Sequence, residues 1–131
     1  MLRALFPLLA AAAVAGCTHA NPDVPASVED VPVPLGWERY DDSETKSYYE
    51  EHEKFRNAQI AYKRKGKAAD IAAFYLKEMA RHQWTPENAI EVNGEFSQTW
   101  LKEQERATVK VRMIDETDEG TSRATITIAL K

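Results

Sequence analysis

The sequence predicts an α+β fold: a two-layer domain in which one amphipathic helix packs on one face of an antiparallel β-sheet. Three observations predict it. Ile71, Phe74, Tyr75 and Met79 fall at i, i+3, i+4 and i+8, which places them on one face of a helix. Segments on both sides of that helix alternate apolar and polar residues with the period of a half-buried strand. Asn93-Gly94 separates two such segments, and that dipeptide is a strong hairpin signal. A helix and strands that are each apolar on one side bury those sides together when the helix lies across the sheet.

The elements follow in order. "PLGWERY" (34–40) reads as an entry turn that makes Trp37 and Tyr40 available for packing. "KSYYEE" (46–51) is a short strand. "FRNAQIAYKRK" (55–65) is a stronger one, with Ala58, Ile60 and Tyr62 alternating with Asn57, Gln59 and Lys63. "HEK" (52–54) closes a hairpin between them. After Gly66 the helix covers 67–82. Asp70 in its first turn and Arg81 and His82 in its last suit the helix dipole. Trp84 is expected to fold back over the helix end, and Pro86 prevents continuation.

The remainder alternates. Asn88–Val92 is a short strand, Glu95–Lys102 returns from the Asn-Gly turn, and "EQER" (103–106) turns again. Ala107–Ile114 sets Val109, Val111 and Met113 on one face. The acidic loop "DETDEGT" (115–121) precedes Ser122–Leu130, where Ala124, Ile126, Ile128 and Leu130 point inward. Thr125 and Thr127 point outward, as suits β-branched residues on a half-exposed sheet. The order is β-β-α-β-β-β, with the last part drawn out into a meander of about four strands. The order of strands within the sheet is not readable from the sequence.

The N-terminal stretch sets an expected address. Arg3 precedes an eleven-residue apolar run, Ala4–Val14, the length of a signal-peptide core. That run is too short for the roughly 20 residues a membrane-spanning helix needs. Val14-Ala15-Gly16-Cys17 follows, and this border resembles the bacterial lipobox: an aliphatic residue, two small ones, then Cys. The resemblance implies that the Cys17 thiol receives a diacylglycerol, that cleavage removes residues 1–16, and that the new amino group is acylated by a palmitate-type chain. Two or more acyl chains hold a protein stably on a membrane. An ordinary signal peptide cut after Ala20 is the alternative. Cys17 is the only cysteine, whereas exported chains usually carry cysteines in pairs, and lipidation accounts for a lone one. In the lipoprotein pattern an Asp after the Cys marks inner-membrane retention, so Thr18 points to the outer membrane, facing the periplasm.

Thr18–Pro34 carries four prolines in 17 residues and reads as an extended tether. The expected layout is a signal peptide (1–16), a lipidated Cys17 with its tether (17–34), and one domain (35–131). Without residues 1–16 the chain has 16 basic and 21 acidic side chains, a balance of −5. That balance argues against nucleic acid, whose binders present a basic face.

Tyr62, Gly66, Phe74, Tyr75, Glu78, Met79, Trp84, Leu101 and Lys102, together with the lipobox and "DVPVPLGW" (30–37), form a pattern similar to that of small bacterial envelope lipoproteins of uncharacterised function. The similarity covers most of the chain after residue 16. Its residues are packing residues, so it implies fold and location rather than activity. One departure is Gln83, where the pattern has Gly before the Trp. The element order is also distantly similar to the helix-grip domains of accessory lipoproteins in outer-membrane protein assembly.

Residues with chemical potential are few. Asp115, Thr117, Glu119 and Gly120 loosely imitate the opening of an EF-hand loop, but position twelve is Ile126 rather than a bidentate Glu. Glu50 and His52 are two apart and share a strand face, enough for weak metal binding at most. Lys63, Arg64, Lys65 and Lys67 form the one basic cluster, at the strand-to-helix corner, where an acidic partner or phosphate headgroups could meet it. Lys110, Arg112, Thr125 and Thr127 mark the outer sheet face. No nucleophile elbow, phosphate loop, HExxH or paired-Cys motif occurs.

The expectation is a non-enzymatic envelope lipoprotein, without cofactor or metal, held to membrane lipid through Cys17 and binding another envelope protein through its tether and outer sheet face. The alternative is a module holding a small ligand or wall polymer between helix and sheet, which requires a closed pocket lined by Tyr62 and Tyr75. A hydrolase or metalloenzyme comes third and requires carboxylates clustered with His52 in a cleft.

Overall fold

The structure, a computed structural model, describes residues 28–43, 45–117 and 119–131. The expected signal peptide, Cys17 and the first part of the expected tether lie outside the described residues.

Among the described residues a single helix lies against one seven-stranded, wholly antiparallel sheet. The elements are β1 (Glu38–Arg39), β2 (Tyr48–Glu51), β3 (Arg56–Lys65), α1 (Ala68–Arg81), β4 (Thr85–Val92), β5 (Glu95–Lys102), β6 (Glu105–Asp115) and β7 (Thr121–Leu130). The α+β class and the two-layer arrangement are as expected, with two strands more than the β-β-α-β-β-β order counts. The strand order is β1-β3-β7-β6-β5-β4, and β2 pairs with β3 beside β1. Helix α1 carries the chain from β3 to the far edge at β4. The meander β4-β5-β6-β7 then returns until β7 lies against β3, Ile60 opposite Ile126.

Alternation decides the two faces. Ile60 and Tyr62 of β3, Val109 and Val111 of β6, and Ile126 and Ile128 of β7 are buried beneath the helix. Ile71, Tyr75 and Met79 of α1 meet them, and Phe74 is half-buried at the margin. Leu130, expected inward, is 55% exposed, because it pairs with Glu105 at the sheet's end, where the inward row runs out. Gln98 is a buried polar residue of the inner face. Its Nε2 donates to the carbonyl of Ala72 in α1 at 2.8 Å, and its Oε1 accepts from Trp100 Nε1 at 3.1 Å. Both buried donors are thereby satisfied, and the sheet is fixed to one turn of the helix.

The helix ends in a Schellman motif. Trp84 N–H donates to Met79 O at 3.1 Å, and Gln83 N–H donates to Ala80 O at 3.2 Å. Gln83 occupies the left-handed position at φ 76°. A glycine would sit there without strain, so Gln83 at this position alters the cost of the exit, not its geometry. Trp84 does fold back over the helix end and is buried. Strand β4 starts at Thr85, earlier than the expected Asn88, and takes in Pro86. An edge strand tolerates that proline, and the register shifts between Pro86 and Asn88.

The folded part also begins earlier than the expected boundary at residue 35. Val28, Val31 and Pro34 are buried, and the two valines join the core. Asp30 lies between them and fixes the segment. Its carboxylate accepts from Arg56 Nη1 at 2.7 Å and from Lys102 Nζ at 2.8 Å, and its carbonyl accepts from Trp84 Nε1 at 2.9 Å. Proline content suggested an open tether up to residue 34. The Val-x-x-Val spacing around an acid was the competing signal.

Candidate functional site: the outer face of the sheet

The face opposite the helix is open to solvent, and the register orders its side chains in cross-strand rows. Gln59, Thr127 and Thr108 stand side by side on β3, β7 and β6, and Thr99 of β5 and Asn88 of β4 continue the row. Ala61, Thr125, Lys110 and Ser97 form the next row. Glu38 of β1, Lys63, Arg123 and Arg112 form the third. A hollow of about 500 Å³ lies on this face. Four of the eight surface residues expected to interact line it: Lys110, Arg112, Thr125 and Thr127. Gln59, Thr108 and Arg123 line it too and were not singled out from the sequence. Strand parity was the available signal, since Arg123 shares its face with Thr125 and Thr127, and Thr108 shares its face with Lys110 and Arg112.

The floor is partly pre-bonded. Thr127 Oγ1 donates to Gln59 Oε1 at 3.1 Å, and Gln59 Nε2 donates to Lys46 O at 2.9 Å. Where β1 and β2 leave a gap beside β3, Tyr40 N–H donates to Ala61 O at 3.0 Å and Ala61 N–H donates to Ser47 Oγ at 3.0 Å. These bonds hold the wall of the hollow without closing it.

The third row is the electrostatic feature. Three cations sit directly opposite one another on adjacent strands roughly 4.8 Å apart, an arrangement that is destabilising unless offset. The offset comes from one side. Tyr40 lies under both Lys63 and Arg123, at 5.1 and 5.2 Å from its ring centroid, and Asp42 Oδ2 accepts from Arg123 Nη1 at 2.5 Å. Arg123 is only 6% exposed, and its Nε and Nη2 have no hydrogen-bond partner among the described residues. Lys110 and Arg112 are exposed and form no ion pair among the described residues. Glu95 is the one acid lining the hollow.

The basic corner is not a single patch. Lys63 belongs to the outer face, whereas Arg64 Nε donates to Leu35 O at 2.5 Å and fastens the entry turn. Lys65 and Lys67 are exposed. Alternation along β3 divides neighbouring cations between two faces, which a count of charges along the chain does not reveal.

The other constellations are resolved by packing. Tyr62 and Tyr75 are fully buried and meet hydroxyl to hydroxyl at 2.5 Å. Burial pushes both phenols up, well out of the physiological range. They are core residues filled in on all sides, not the walls of a ligand cavity. His52 stacks on Phe55 at 4.6 Å and lies 3.4 Å from Glu50, so the two share a face as expected. No group of three or more metal-ligating side chains occurs among the described residues. Asp115 Oδ1 accepts from both N–H and Oγ1 of Thr117, which lowers its pKa and commits the carboxylate to the turn. Among the described residues no helix is long and apolar enough to cross a membrane.

Comparison of the chain with protein-family models, with curated proteins and with solved structures finds no match.

Proposed function

We propose that this protein is a lipid-anchored envelope module without enzymatic activity, whose outer sheet face binds another protein of the envelope. The observation that carries the reading is the contrast between the two faces. The centre of the space between helix and sheet is occupied by Tyr62, Tyr75, Trp100 and their aliphatic neighbours. What remains is an open apolar groove of about 250 Å³ at its edge, lined by Leu76 of α1 with Ile90 and Phe96. The opposite face carries a polar hollow lined by hydroxyls and by the exposed cations Lys110 and Arg112. The lipobox resemblance at Cys17 supports anchoring, and Thr18 supports the outer membrane. Cys17 as the lipid attachment site, and the membrane lipid it would bring as first partner, are part of the same proposal.

The test is photo-crosslinking in intact cells, with a photoreactive residue at Thr127 on the outer face or at Lys77 on the exposed side of the helix. Adducts with a discrete envelope protein from position 127 but not from 77 are expected. Cys17→Ala should release the protein from membranes and lower the yield of that adduct. Equal crosslinking from both positions, or none from 127, would remove the outer face from consideration.

A further inference from the structure

We infer that the outer edge of β4 pairs with β4 of a second copy, antiparallel about Ile90, so that two sheets join into one. This goes beyond the outer-face reading and stands whether or not that reading does. Among the described residues no strand covers this edge. All eight residues of β4 are exposed. Ile90 and Val92 are 52% and 59% exposed, and Leu76, on the flank of α1 beside them, is 51% exposed. Free sheet edges are normally guarded by a charge, a proline or a bulge. Here Pro86 and the bulge after it guard only the first part of the strand. Within Asn88–Val92 the one charge is Glu91, and its Oε2 accepts from Gly94 N–H at 2.6 Å, which draws it back to its own turn.

The backbone phase of this edge follows from the hairpin. Asn93 and Gly94 both have positive φ, 50° and 83°, as a type I′ turn requires. Such a turn closes on a hydrogen-bonded pair, here Val92 with Glu95. Bonded and non-bonded pairs alternate along an antiparallel ladder. Ile90 and Asn88 therefore also spend their backbone groups on β5, and Ala89 and Glu91 turn theirs outward.

Charge then selects the register. A two-fold axis perpendicular to the sheet keeps helix-side residues opposite helix-side residues, so the axis passes through one residue. An axis at Ala89 sets Glu87 against Glu91, and an axis at Glu91 sets the two Glu91 side chains against each other, both unfavourable. An axis at Asn88 draws the Pro86 bulge into the pairing, and an axis at Val92 draws in the turn. With the axis at Ile90, Ala89 faces Glu91 of the second copy on both sides, and these are the residues whose N–H and C=O point outward. Two such pairs exchange four hydrogen bonds. The two Ile90 side chains meet at the centre as a non-bonded pair, the kind that brings side chains closest. Asn88 faces Val92, and the two Glu91 residues lie apart on the diagonal.

The neighbourhood accepts this strand. Ala69 and Ala73, with Leu76, line the groove of about 250 Å³ between α1 and β4, and the alanines leave room for the inward side chains of a strand laid alongside. Head-to-tail growth is disfavoured, because β2 at the other margin carries Glu50 and Glu51, which would meet Glu87 and Glu91. The assembly thus closes at two copies. Ile90 stands opposite Ser97 and ends the row of Ala61, Thr125, Lys110 and Ser97, so pairing makes the two outer faces one surface. Five residues a side form a small contact, which is favoured where chains share a surface and their local concentration is high.

The experiment uses the full chain in isolated membranes, with the parent, whose one cysteine is Cys17, as background. Under mild oxidation Ile90→Cys should give a disulfide-linked dimer at about tenfold the yield of Ala89→Cys or Glu91→Cys. Across the axis the two 90 positions are about 4.5 Å apart, whereas like positions at 89 or 91 lie about 7–8 Å apart, beyond disulfide reach. Co-expressed Ala89→Cys and Glu91→Cys chains should form the mixed dimer. A photoreactive residue at Val92 should give an adduct of twice the chain's mass. Ile90→Lys puts two cations opposite each other and should cut that adduct about tenfold. Ile90 is exposed, so an unchanged melting temperature will show that the Lys variant is folded. The inference is overturned if Ile90→Cys crosslinks no better than its neighbours, or if Ile90→Lys leaves the adduct unchanged. An adduct of any other mass overturns it in favour of a foreign strand. An adduct at the mass of one chain overturns it in favour of the chain's own residues 18–27 on this edge.

Discussion

The hydroxyls of Tyr62 and Tyr75 are 2.5 Å apart in the core, each the hydrogen-bond partner of the other. One comes from β3 and the other from α1, so this single bond joins the two layers at a point that water does not reach. Removing one hydroxyl strands its mate. Tyr75→Phe is therefore expected to cost about 1–3 kcal/mol, and Tyr62→Phe a similar amount. Removing both leaves no orphan, so Tyr62→Phe/Tyr75→Phe should cost less than the sum of the singles. Urea unfolding of the four proteins closes the cycle, and strict additivity would show that the bond contributes nothing.

Gln83 holds a positive φ at the helix exit, where glycine carries no steric cost. Gln83→Gly is expected to stabilise the protein by a few tenths of a kcal/mol up to about 1 kcal/mol, since glycine's greater freedom when unfolded cancels part of the relief. Thermal melts should show a rise of a few degrees, and a fall would mean that Gln83 makes contacts that outweigh its backbone strain.

Gly120 lies at φ 84°, between Met113 and the carbonyl of Asp115. A Cβ there would overlap Met113 Cε and lie 3.3 Å from Asp115 O. The Met side chain can yield, but the carbonyl belongs to strand β6. Gly120→Ala is expected to cost about 1–2 kcal/mol through left-handed strain alone. It should also loosen the corner where Gly66 N–H donates to Gly120 O at 3.0 Å. The amide exchange rate of Gly66 reports the second effect, and an unchanged rate would confine the damage to the loop.

Burial alone would raise the Asp30 carboxyl, but hydrogen bonds from Arg56 and Lys102 outweigh it and hold the group at about 2. The sign follows from linkage. A folded pKa below the unfolded 3.8 contributes stability that is complete above pH 4–5 and disappears as pH falls through about 2. With the side chain 24% exposed, roughly 1–2 kcal/mol is expected from this group. Asp30→Asn should flatten the stability profile between about pH 5 and pH 2. A profile parallel to that of the parent would assign the acid sensitivity to other carboxylates.

The fold was legible where one face of an element is apolar. Ile71, Tyr75 and Met79 declared the helix, and Asn93-Gly94 declared its hairpin, with φ of 50° and 83° at the turn. The order of strands was not legible, because antiparallel neighbours of similar composition can pair in several ways and only the packed sheet selects one. Val28 and Val31 were hidden by the prolines around them. The hollow was half legible. Lys110, Arg112, Thr125 and Thr127 follow from alternation alone, whereas Arg123 needed Asp42 and Tyr40, about eighty residues away, to become a site. Of the basic cluster, strand geometry split what adjacency had joined.

The clamp at Asp30 has a mechanical consequence. A globule suspended by its leading end receives any pull at Val28, and once the turn bond from Val31 N–H to Val28 O is loaded the pull falls on the bonds from Arg56, Lys102 and Trp84 to Asp30. Those three residues belong to β3, to β5 and to the turn after α1, so tension is shared by separate parts of the sheet and not concentrated on one peeling strand. If the chain is held at Cys17, the suspending cord is the ten residues 18–27, and it cannot exceed about 36 Å at full stretch. The outer face proposed for docking would then work close to the surface from which the protein hangs.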